Sequence, residues 1–186
     1  MNVGRANASG KYLILLNNDT EVITSDWIEG MMEHAQRPEI GVVGCKLLYD
    51  DDTIQHAGVI VGIAGVASHA FIGDDRDGPG YFNYINLLNN YSSLTAACIM
   101  MRTEVYDKAK GFSEEFVVEY NDVDFCLKVL EEGYRNLYVP HVELYHYESI
   151  SRGHPHATSE SYKRHVKEVN KFRKKWMKYI DHEPCY

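Results

Sequence analysis

Four stretches of the chain carry side chains able to do chemistry. Asn17-Asn18-Asp19 closes the apolar run Tyr12-Leu13-Ile14-Leu15-Leu16 and places a carboxylate where that run stops. A hard divalent cation takes oxygen ligands and shares its shell with phosphate and water. One carboxylate on a rigid strand end therefore suffices if a diphosphate supplies the remaining oxygens; the same acid also suits a turn that caps the next helix. Tyr120-Asn121-Asp122-Val123-Asp124 opens a helical pattern. Acids there offset the helix dipole, and one aimed into a cleft can act as general base toward a hydroxyl. His146 shares the parity of Val142 and Leu144, so it points with the apolar side chains as a satisfied core group or a ligand. Beyond it, Arg152 beside Gly153 has the planar fork that grips phosphate. His154-Pro155-His156 adds imidazoles without the paired cysteines of a zinc motif. The last stretch holds eight basic residues between Lys163 and Lys178 against the single Glu168. It reads as a solvated helix face or as a surface that meets a membrane or an anionic polymer.

These groups need elements to position them. Lys11 to Leu16 reads as a strand buried on both faces, and Thr24, Ser25 and Asp26 offer N-caps for a helix with Trp27, Ile28, Met31, Met32 and Ala35 at helical spacing. Strand, acidic turn and helix is the order in which open α/β sheets bind ligands, at the carboxyl ends of their strands. Gly41–Leu48 and Leu94–Met101 read as buried strands, and Gly58–Gly62 as a short one. Asp74 to Gly80 reads as a mobile loop. Thr103–Lys110 and a segment from Asn121 or Asp122 to Gly133 read as helices. Leu137–Pro140 and Val142–Tyr147 read as two strands. A basic amphipathic helix over 157–180 ends the pattern, with Tyr162, Val166, Val169, Phe172 or Arg173, Trp176 and Ile180 as its apolar stripe. Helices and strands alternate, so the class is α/β, in a single domain over 1–186.

Composition narrows the field. The 186 residues suffice for one sizeable core. No apolar run approaches the roughly 20 residues of a membrane span, and no signal-peptide pattern opens the chain. The formal charge of -8 coexists with the basic stretch near the end, so the rest of the chain is strongly acidic; this argues against nucleic acid as a partner. Cys45, Cys98 and Cys126 lie in apolar segments without CxxC spacing, as buried reduced thiols of a cytoplasmic protein do.

The motifs in order resemble the family-2 glycosyltransferases, inverting sugar-nucleotide enzymes of the GT-A fold. The matching segments are Gly10 to Thr20, Thr53-Ile54-Gln55-His56-Ala57-Gly58, Asn90-Tyr91-Ser92, Thr95-Ala96-Ala97-Cys98, Tyr120 to Leu127, Gly133-Tyr134-Arg135 and His146 to Gly153. The match runs almost from end to end and is closest to the rhamnosyltransferase-like bacterial branch that builds surface polysaccharides.

The resemblance implies a Rossmann-like mixed sheet flanked by helices, with the first βαβ portion of the family's nucleotide-binding half absent before Met1. It assigns Asn17-Asn18-Asp19 to the family's DXD motif. Asp19 would hold Mn2+ or Mg2+ on the donor diphosphate, and Asn17 stands where the motif's first acid would be. Asp122 matches the general base, His146 a histidine that approaches metal and diphosphate, and Thr95 and Ala96 a small-residue strand beside the transferred sugar. Arg152 would offset diphosphate charge with the cation. The implied donor is a UDP-, dTDP- or GDP-sugar and the acceptor a glycan, at the cytoplasmic face of the inner membrane. If the opening strand is an edge, it invites a homodimer. Two other readings compete: a non-catalytic carbohydrate- or partner-binding module on the same fold, and a phosphoesterase using Asp19, Asp124 and His146.

Overall fold

The structure, a computed structural model, describes residues 1–147, 158–183 and 185. After a short helix α1 (Asn2–Asn7) come strands β1 (Tyr12–Leu16) and β2 (Thr20–Val22), helix α2 (Trp27–Ala35) and strands β3 (Ile40–Leu48) and β4 (Ile54–His56). A hairpin of β5 (Val59–Val61) and β6 (Ala67–His69) follows. Next are β7 (Asn89–Tyr91), β8 (Cys98–Arg102), α3 (Thr103–Lys108), α4 (Asn121–Glu131), β9 (Arg135–His146) and α5 (Ser159–Asp181). The main sheet runs β1-β8-β3-β9-β2, with β4 added to β3 and β7 to β9. Among the described residues only β3 and β9 pair in parallel. The result is a mixed sheet flanked by helices.

Burial explains the layering. Every residue of β3 is buried, as a strand covered on both faces must be. Val43, Cys45 and Leu47 face α2 through Met31 and Ala35. Val42 and Leu48 face the opposite layer, where Phe112, Phe125 and Val129 of α4 and its preceding loop close the core. Gly41 is required there, since a Cβ would lie 2.3 Å from Val129. The C-terminal end of α2 is capped from across the sheet: Arg102 donates to the carbonyls of Ala35, Arg37 and Pro38.

Five expectations change. β1 is not buried on both faces: it lies at the sheet edge, as the homodimer expectation requires, with Ile14 and Leu16 exposed. Residues 94–97 run as loop, and β8 starts only at Cys98. The two strands expected around Pro140 are one. Pro140 is absorbed where the register jumps from Cys45↔Val139 to Lys46↔Glu143, because a bulge needs no N–H from it. The loop at 74–80 is fastened: Arg76 pairs with Glu143 at 2.7 Å and with Asp52 at 3.1 Å, and Glu143 also pairs with the buried Lys46. Finally, the stripe of α5 is half right. Phe172 and Trp176 are buried, but Tyr162 and Val166 are exposed and the acidic Glu168 is buried instead.

Candidate functional site

Strand ends and one helix start bring the acidic and imidazole groups together. The turn after β1 carries Asn17 and Asp19, and β2 returns from it to pair with the end of β9, placing Thr20 opposite His146. His146 Nε2 lies 3.3 Å from Asp19 Oδ1 and 3.2 Å from Asn17 Nδ2. Its Nδ1 lies 2.6 Å from Gln55 Oε1. Asn18, between the two, is exposed.

A second connection reaches Asp122. The Asn17 amide donates to the Ala97 carbonyl at 2.8 Å, and the adjacent Ala96 amide donates to Asp122 Oδ2 at 3.3 Å. Asp122 Oδ1 accepts from the Val123 amide at 2.9 Å. Thr95 Oγ1 accepts from the Ala97 amide at 3.4 Å. Thus Asp19, Asn17, His146, Thr95, Ala96 and Asp122 form one neighbourhood at the carboxyl ends of β1 and β9 and the start of α4. Arg152 lies outside the described residues, as do Gly153, His154 and His156.

The cap expected of Asn121 or Asp122 takes another form. Tyr120 is the N-cap in left-handed conformation, φ 59°, and makes no side-chain cap bond. Non-glycine residues adopt that region at a cost and persist in it where surroundings over-determine them; here Tyr120 packs on Phe172 with ring centroids 5.2 Å apart. Asp124 is withdrawn from the site. It is fully buried, holding Lys175 at 2.5 Å and accepting from the Trp176 indole at 2.9 Å. That placement removes it from the phosphoesterase arrangement with Asp19 and His146.

The donors present fit a divalent cation. The Gln55 amide donates to the His146 carbonyl at 2.9 Å, so its own carbonyl faces Nδ1, which therefore carries the ring hydrogen. In the neutral ring Nε2 then presents a lone pair toward Asp19. Among the described residues Asp19 Oδ1 is buried and receives no hydrogen bond. Two acceptors facing each other across 3.3 Å, one of them anionic, suit a cation bound beside both. One imidazole and one carboxylate are a partial shell, which phosphate oxygens can complete; among the described residues no three His, Cys, Asp or Glu side chains form a complete one. Behind Gln55, burial pushes the His56 imidazole well below its ordinary value, so it stays uncharged and adds no repulsion.

Sequence reasoning missed two contributors. Gln55 lies within the Thr53–Gly58 motif, which by itself gives it no role. Glu168 accepts from the amides of Val117 and Glu119 at 3.2 and 2.8 Å, and His165 bonds Glu119, so α5 clasps the loop that leads to Asp122. A buried acid in an otherwise basic helix was the signal that could have found it.

No family profile matches the sequence. Two curated proteins are similar. One is the uncharacterised protein y4gI of Sinorhizobium fredii, 42% identical over 186 residues, all of this chain and 20% of that protein. The other is the O-antigen biosynthesis protein RfbC of Myxococcus xanthus, 42% identical over 147 residues, 78% of this chain and 12% of that protein. The chain thus spans a fifth or less of the relatives' length. Among solved structures, the mannosyltransferase PcManGT from Pyrobaculum calidifontis with GDP-Man and Mn2+ matches with TM-score 0.58 at 14% identity, covering 95% of this chain and 42% of that one. GalNAc-T7 with UDP, GalNAc and Mn2+ matches with TM-score 0.65 at 12% identity, covering 100% of this chain and 42% of that one. The mixed sheet, its flanking helices and these likenesses agree: the chain has the GT-A fold of the glycosyltransferases.

Proposed function

We propose that the chain is the catalytic part of a metal-dependent, inverting family-2 glycosyltransferase that moves a sugar from a UDP-, dTDP- or GDP-sugar to a glycan acceptor in bacterial surface-polysaccharide synthesis. The observation that carries this reading is Asp19 Oδ1, without a hydrogen-bond donor among the described residues and facing His146 Nε2 at 3.3 Å, joined to Asp122 through Ala96 and Ala97. The 42% identity to an O-antigen biosynthesis protein and the Mn2+ and nucleotide-sugar ligands of the structural neighbours support it.

In this reading Asp19 and His146 hold Mn2+ or Mg2+, which when bound supplies Lewis-acid stabilisation to the departing diphosphate. Asn17 and Asn18 line the diphosphate, and Arg152 adds guanidinium charge to it. Thr95 and Ala96 are small, leaving room for the sugar ring. Asp122 takes the proton of the acceptor hydroxyl as its oxygen forms a bond to the anomeric carbon; the bond to the diphosphate breaks and its electron pair leaves with the nucleotide. A single displacement inverts that carbon. The two backbone donors on Asp122 fix its aim.

Titration calorimetry with UDP, dTDP and GDP, each with Mn2+, tests the reading. Nucleotide binding that requires Mn2+ and disappears in Asp19→Ala is expected. Absence of binding, by this chain and by a longer one containing it, sinks the catalytic reading. Sugar-polymer binding untouched by Asp122→Ala would instead favour a non-catalytic module.

Two associations complete the proposal. The outer edge of β1 is unpaired among the described residues and presents Ile14 and Leu16; a second copy pairs there to give a homodimer, which light scattering would detect and Ile14→Lys would abolish. Among the described residues no helix is long and apolar enough to cross a membrane. Instead the exposed basic face of α5, with Tyr162 and Val166, lies on anionic headgroups at the cytoplasmic side.

A further inference from the structure

Gln55 occupies an unusual place in the sheet. On β4, Ile54 pairs with Leu48 and His56 with Leu47, so two steps along β4 answer one step along β3. Gln55 is the extra residue of this bulge, and a bulge re-aims the side chain it carries. The redirected side chain ends against His146, ninety-one residues away in sequence, in a buried setting.

The contact uses both ends of the amide on one residue. Gln55 Nε2 donates to the His146 carbonyl at 2.9 Å, and Gln55 Oε1 accepts from His146 Nδ1 at 2.6 Å. Rotating the amide by half a turn would set oxygen against carbonyl oxygen and NH2 against Nδ1–H, losing both bonds at once. The side chain is 3% exposed, so water cannot replace either partner. Asn17 Nδ2 at 3.2 Å from Nε2 agrees that Nε2 accepts.

We infer that Gln55 is a positioning residue, clamping the His146 ring in the Nδ1–H tautomer so that the Nε2 lone pair is held toward Asp19 and available to a divalent cation. The inference rests on the proposed metal role of Asp19 and His146. Without the clamp the ring would move its hydrogen to Nε2 and donate it to Asp19 Oδ1 across the existing 3.3 Å. That internal bond would occupy both ligands and close the site to the cation. Partners on the second nitrogen of a ligating histidine commonly alter metal affinity 10–100-fold.

The test is nitrogen-15 NMR of histidine-labelled protein, without metal, in the wild type and in Gln55→Leu and Gln55→Glu. The His146 signals are assigned by their loss in His146→Asn, and circular dichroism checks that each variant is folded. Wild type is expected to hold Nδ1–H, Gln55→Leu to shift to Nε2–H, and Gln55→Glu, which keeps an acceptor for Nδ1–H, to hold the wild-type tautomer. Mn2+ affinity, by calorimetry in the presence of UDP, should fall about tenfold or more in Gln55→Leu. Nε2–H in the folded wild type overturns the inference, as does a folded Gln55→Leu that keeps both Nδ1–H and full Mn2+ affinity. Should the tautomers follow expectation while His146→Asn binds Mn2+ as tightly as wild type, the clamp stands and the metal reading is what fails. If Gln55→Leu does not fold, the wild-type and Gln55→Glu tautomers decide.

Discussion

Asp122 and Asp124 stand two residues apart in the first turn of α4, and the same local sequence would assign them the same work. Their surroundings divide them. Asp122 sits half-exposed with two backbone donors and no cation beside it among the described residues. Asp124 is sealed under α5 with Lys175, Trp176 and, at 3.6 Å, Lys128. Two residues along a helix is about 200° of rotation, enough to turn one acid to the cleft and the other to the helix behind it. An acid that must accept a proton is kept clear of fixed cations, whereas an acid that locks a helix is surrounded by them.

Substitution can break this contrast. Asp122→Asn should lower sugar transfer about 10²–10⁴-fold with little change in the thermal midpoint, measured by product formation and circular dichroism. Asp124→Ala should do the reverse. It leaves the buried Trp176 indole N–H without its acceptor and removes the partner of the part-exposed Lys175, a loss of about 1–3 kcal/mol, read by urea denaturation. Comparable stability loss in both variants would mean that both acids are structural.

Glu168 sharpens the comparison, since it acts on the loop before Asp122. Glu168→Gln keeps one acceptor for the Val117 and Glu119 amides but presents an NH2 to the other, and should cost about 1–2 kcal/mol by urea denaturation. It should also lower transfer less than Asp122→Asn does. The smallest effect concerns pH. His56 is buried, and its folded-state value lies well below 6.5. The unfolded chain therefore binds a proton there first, so stability is fully present above about 6.5 and declines as pH falls below it. His56→Gln should flatten that slope in denaturation curves at pH 5 and 7, the buried His34, lowered by the same cause, supplying the remainder.

Local pattern was enough for the elements whose partners it did not need to name. β3 reads as buried because all its residues are apolar or small except Lys46, and α2, α3 and α4 end at the turn signals that stop them. The positions of Asp19 and His146 followed from where an apolar run stops and from strand parity, and the resemblance supplied their companions Asp122, Thr95 and Ala96. What failed to show depends on distant neighbours. Pro140 looks like a strand end until β3 offers a bulge to hold it. Arg76 looks like part of a loose loop until Glu143 arrives from β9. Glu168 and Gln55 look like ordinary polar residues because their partners lie about fifty and ninety residues away.

The two-residue segment Ala96-Ala97 has a consequence of its own. The Ala97 carbonyl accepts from Asn17 and the Ala96 amide donates to Asp122, so the separation of the nucleotide side from the acceptor side is gauged by two residues. A loop can drift, but this gauge has no length to stretch. Lengthening it by one residue would offset the two halves by up to about 3.3–3.6 Å, further than an in-line transfer tolerates. In proteins of this kind, change should accumulate on either side of the gauge while its own length stays constant.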